Sequence, residues 1–108
     1  MSAPYRESRA TWRGIALTIR YCPDWGRIHC GAVQHVEVES NGHVPLPITE
    51  TGYRSHFMIG DQALTAYGDD PVAFALAWLD HEANGKAWRA FEAQQRRDEA
   101  ASRQLMLF

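Results

Sequence analysis

Two hydrophobic periods divide this chain and restrict what it can fold into. Between Thr11 and Tyr21, Ile15, Leu17, Ile19 and Tyr21 alternate with Gly14, Ala16, Thr18 and Arg20, the period of a half-buried strand. A second strand is expected from Ile28 to Glu39; in it Val36 and Val38 face one way and His35, Glu37 and Glu39 the other,. A third is expected from Tyr53 to Ile59, where Tyr53, Ser55, Phe57 and Ile59 oppose Arg54, His56 and Met58,. Beyond Asp70 the spacing becomes helical. Val72, Leu76, Leu79 and Ala83 form one row, with Phe74 and Trp78 beside it,. Strands followed by helices argue for an α+β domain: a three- to four-stranded antiparallel sheet covered on one face by C-terminal helices. Trp78, Trp88 and Phe91 are expected to dominate that cover.

Punctuation between these runs sets the remaining expectations. Pro23, Asp24 and Gly26 supply turn chemistry and fold Trp25 back over the sheet edge,. Asn41-Gly42 marks a turn, and the two prolines of Val44-Pro45-Leu46-Pro47-Ile48 confine that segment to an edge,. Asp61 is a candidate cap for a short helix closed by Gly68, and Asp70-Pro71 suits the start of the next,. Asn84-Gly85 ends that helix or kinks a longer one. We therefore expect a flexible N-terminus over 1–10, a domain over 11–93, and a polar helix or tether over 94–108.

With 108 residues, 45% hydrophobic and 22% charged, the chain has enough apolar surface for one core without staples. Its formal charge of -2 offers no bulk attraction to nucleic acid, so direct binding there is not expected. No stretch has the length or apolar character of a signal peptide or membrane span, and a cytoplasmic protein is expected. Cys22 and Cys30 are read as free thiols. His29, His35, His43 and His56 with the cysteines lack zinc-site spacing, and no cofactor or metal is expected.

Residues 94–104 read QQRRDEAASRQ, without a large apolar side chain, and lead into Gln104-Leu105-Met106-Leu107-Phe108. That ending resembles the Gln-Leu-x-Leu-Phe peptide by which many bacterial replication and repair proteins hold the DNA sliding clamp. The resemblance implies that Leu107 and Phe108 fill an apolar pocket, that Gln104 reaches a polar subsite, and that Leu105 adds support. A tail docked on the core would instead use Leu105, Leu107 and Phe108 for packing. The segment PLPITETGYRSHF resembles small proteins of bacterial plasmids, prophages and other mobile elements, a likeness that implies no activity.

His35, Glu37, Arg54 and His56 are expected on one face of paired strands, as a possible second surface for another protein. The chain has no phosphate loop, nucleophile elbow or paired-thiol motif. Taken together, these residues imply a small adaptor or modulator that docks on the clamp and is not an enzyme. Two alternatives stand: a mobile-element inhibitor of a host defence system, of anti-restriction or anti-CRISPR type, and a small enzyme using Arg54, His56 and Glu37.

Overall fold

The computed structural model describes residues 4–106, with side chains through Leu105. Four strands form an antiparallel meander in the order β1 (Arg6–Trp12), β2 (Ile15–Ile28), β3 (Gly31–Ser40), β4 (Tyr53–Ile59). Helices α1 (Pro71–Ala83) and α2 (Lys86–Met106) follow. The α+β class and the sheet covered on one face are as the two periods require.

Strand β1 occupies the second half of the segment expected to be flexible, and the single strand expected over 11–21 is in fact a hairpin. Arg13 and Gly14 turn the chain with φ of 48° and 81°, the positive pair of a two-residue hairpin loop. The sequence RESRATW hides this strand. As an edge strand it places Arg6, Ser8, Ala10 and Trp12 on the covered side, beside Tyr21, Ile19, Leu17 and Ile15, so only Trp12 of that row is a large apolar side chain.

The covered face carries Leu17, Ile19, Tyr21, Val36, Val38 and Met58, all buried. Its lid differs from the aromatic one expected. Ala75, Leu79 and Ala83 of α1 lie against the sheet, whereas Trp78 and Trp88 are only partly buried at the flanks. Small residues on the inner row let the helix approach closely, and the large rings then fit at its sides. Among the described residues the Trp88 indole N–H is buried without a partner, but other polar groups inside are paired. Trp12 donates its indole N–H to Asp80 at 2.8 Å, and the Tyr21 hydroxyl donates to Gln34 at 2.6 Å, whose amide donates to the Gly60 carbonyl at 2.8 Å.

Residues 44–48 do not run along an edge. They fold under the helices and bury Leu46 and Ile48 in the core, because apolar side chains between prolines gain more from burial than an edge ladder can return. Asp61 caps no helix either: its carboxylate accepts from the Ala32 amide at 3.2 Å, and only a short 3-10 turn, Thr65–Tyr67, forms before Gly68. Asp70 does cap α1, accepting from the Val72 amide at 2.9 Å with Pro71 next. Asn84-Gly85 separates two helices.

Candidate functional site

The open face of the sheet has two halves. One is a polar ladder in which Arg20 reaches Glu7 at 3.5 Å and Glu39 at 3.2 Å; the hydrogen bond with Glu39 raises the guanidinium pKa. Tyr53 donates its hydroxyl to Glu37, and that bond, with burial, raises the phenol pKa. These charges satisfy one another.

The other half is aromatic. Between Cys22 and Gly26 the β2–β3 register slips, so that Pro23, Asp24 and Trp25 stand against Gln34 alone. This bulge replaces the expected turn, and bulges re-aim side chains. Here it lays Trp25 on Phe57 with ring centroids 4.8 Å apart. Phe57 stacks on His35 at 4.4 Å. Trp25 and Phe57 remain 47% exposed and Ile59 60%, an apolar surface facing solvent, of the kind that marks interaction sites.

His35 is the buried centre of this cluster. Its Nδ1 meets the Tyr5 hydroxyl and its Nε2 lies 2.5 Å from the Ser55 Oγ. Hydroxyl, imidazole and orienting group follow the order of a nucleophilic triad. The chemistry stops short of one. The orienting group is a phenol whose pKa is raised by burial and then by Glu37, so it holds its proton and offers no negative charge to stabilise an imidazolium. The face is also open, with no depth to exclude water. The arrangement engages both ring nitrogens of His35.

Arg54 and His56 are not on this face. Pairing of Val36 with His56 and Val38 with Arg54 puts both on the helix side of the sheet, His56 half-buried and Arg54 exposed at its margin, while His35 and Glu37 oppose Phe57 and Ser55. The expected common surface of His35, Glu37, Arg54 and His56 is therefore divided by the sheet, as is the acid/base set of Arg54, His56 and Glu37. The expectation set the Arg54 and His56 row of β4 with His35 and Glu37; in the structure that row faces the helices, and of it only Met58 is core. Arg54 sits 5.5 Å over the Trp78 ring and donates to the Ile48 carbonyl at 3.3 Å. His56 packs against Trp78 at 4.9 Å and Phe74 at 5.8 Å. Burial, then Arg54, lowers its pKa. Among the described residues no group of three or more His, Cys, Asp or Glu is placed to hold a metal ion, and no helix is long and apolar enough to cross a membrane.

The sequence model of the KlcB third domain matches residues 5–88, from Tyr5 through all four strands and α1. The chain belongs to this family. No curated protein and no solved structure matches it. The KlcB third-domain match contains every member of the aromatic cluster and ends at Trp88, in the first turn of α2. The rest of α2 lies beyond it. Every described residue from Gln94 to Leu105 is exposed, and Leu105 retains 76% of its surface. Leu107 and Phe108 lie outside the described residues.

The cluster was missed in the sequence because its members come from three separated segments, Tyr5, Trp25 and the β3–β4 pair. One signal was available: Tyr53, Phe57 and Ile59 share a row with Ser55, and a row with a hydroxyl in it need not face inward.

Proposed function

We propose that this protein is a small binding adaptor or modulator that docks on the bacterial sliding clamp through Gln104, Leu105, Leu107 and Phe108, with the aromatic half of the open sheet face supplying a second protein contact. The observation that carries this reading is the exposure of α2 from Gln94 onward. A helix of 21 residues is about 30 Å long, and it presents Gln104 and Leu105 away from the core. Docking as an extended peptide requires the last turn to open. With every described side chain there exposed, opening costs little,. KlcB is associated with plasmid and mobile-element functions, which supports reading the chain as a mobile-element protein whose partner belongs to its host.

The test is titration of purified clamp with the full chain and with a variant lacking residues 104–108. Short motif peptides bury little area and must be ordered on binding, so about -6 to -8 kcal/mol is expected. The deletion should abolish binding and leave the unfolding midpoint nearly unchanged. Absence of binding by the full chain, or a midpoint that falls by many degrees on deletion, would overturn the reading. A defence inhibitor acting by the sheet face alone is the second reading, favoured by the exposure of Trp25, Phe57 and Ile59. It predicts a partner lost on Trp25→Ala and kept on tail deletion.

A further inference from the structure

Strand β4 ends the described sheet, with β3 on one side of it and no strand on the other. The Ser40 amide bonds the Gly52 carbonyl at 2.8 Å, and the Gly60 amide bonds the Ala32 carbonyl at 2.9 Å. Given the register that sets Val36 against His56, antiparallel alternation then points the backbone groups of Arg54, His56 and Met58 at β3 and those of Ser55, Phe57 and Ile59 outward. No other described element bonds these outward groups. Sheet edges are ordinarily blunted by charge, proline or a bulge. The opposite edge, β1, carries Arg6, Glu7 and Arg9, whereas β4 reads YRSHFMI, without proline, lysine or acid.

Beside the open edge, on the helix side, lies a groove of about 320 Å³ lined by His56, Tyr67, Phe74, Ala77, Trp78 and His81. Its walls are rings in contact: Tyr67 meets Phe74 at 5.2 Å, and Phe74 meets Trp78 at 5.7 Å. A strand laid along β4 sends alternate side chains to this side. The one opposite His56 enters the groove, and the next of that row comes opposite Arg54. Arg54 is exposed and, among the described residues, has no carboxylate partner. The other row of the added strand lies beside Phe57 and Ile59, both exposed. A second copy of β4 fits poorly. Its inner row brings another Arg54 in place of a carboxylate, and the apolar member of that row, Met58, is already in the core.

We propose that the β4 edge captures an extended segment of a partner protein as a fifth, antiparallel strand, with a large apolar side chain in the groove beside His56 and, two residues further on, an Asp or Glu against Arg54. Backbone bonds to Ser55, Phe57 and Ile59 supply attraction, and the groove and Arg54 supply selectivity. The site shares only Phe57 and Ile59 with the open-face contact, and it involves neither the clamp nor the tail.

Selection of displayed random twelve-residue peptides on the immobilised full chain tests the proposal without clamp. Enriched peptides should carry a large apolar residue two positions before Asp or Glu, and the best should bind with Kd on the order of 10–100 µM, since a short peptide must be ordered on binding. Methylating the backbone nitrogen between those two residues, which faces β4, should abolish binding; methylating that of the acidic residue, which faces away, should change it less than about threefold. Ala77→Trp fills the groove from an exposed position of α1 and should weaken binding at least about tenfold, circular dichroism confirming the fold. Selection on Arg54→Glu should replace Asp or Glu by Lys or Arg. Trp25→Ala, which removes the ring farther in on the open face, should leave peptide binding within about threefold, so that loss of the open-face reading and loss of this one are told apart. Peptides without the pattern, binding unmoved by Ala77→Trp, or equal loss on methylation at both positions would each overturn the proposal.

Discussion

His56 links folding to pH through its burial against Trp78 and Phe74. Its folded pKa lies below the ordinary 6.5, so below that value the unfolded chain takes up a proton that the folded chain refuses. The stability that depends on neutral His56 is present above pH 6.5 and is lost as pH falls through 6.5 towards the lower folded value. Midpoints measured between pH 7 and 5 should fall, and His56→Gln should flatten that slope. Two other side chains separate core from surface. Leu79 is fully buried under α1, and Leu79→Ala should cost about 3 kcal/mol in denaturant unfolding. Trp25 is held by ring contacts alone on an open face, and Trp25→Ala should cost about 1 kcal/mol. Equal losses would mean that Trp25 is structural and not displayed.

At the scale of elements, the turns decide most. Gly52 has φ of 78°, and a Cβ there would lie 2.6 Å from the His43 backbone and from the Ser40 Oγ. Its carbonyl accepts from the Ser40 amide at 2.8 Å. Strain and clash coincide, so Gly52→Ala should destabilise by more than about 2 kcal/mol and disturb the 41–52 connection that delivers Leu46 and Ile48. A thermal melt within a degree of wild type would refute this. Strand β4 was legible with its bounds, Tyr53–Ile59, and so was the Asp70-Pro71 start of α1, because both are written in local pattern. Strand β1 was not, because an edge strand with one large apolar inward residue carries no hydrophobic alternation. The direction of β4 was misread for a related reason: alternation identifies two faces but does not say which one the helices take.

The whole molecule departs from a sphere. Its radius of gyration of 17.0 Å exceeds the roughly 13 Å expected for a compact chain of this length, and the excess is α2. Truncation after Ala93 should leave the unfolding midpoint nearly unchanged at low protein concentration, since the residues removed have no described contact with the core. A fall of many degrees would show that the arm stabilises the fold. The separation of body and arm also explains why the family match can end at Trp88 while the helix continues.

Class, the start of α1 and the polar character of the arm were determined by the sequence alone, because each depends on residues within a few positions of one another. The clamp-like ending is equally local. Tertiary structure decided what depends on register between distant strands. The β3–β4 pairing sent Arg54 and His56 to the helix side and left His35 with Phe57 on the open side, and the β2 bulge then carried Trp25 onto them. A shift of one residue in that pairing would exchange the two faces, and the local alternation would read the same.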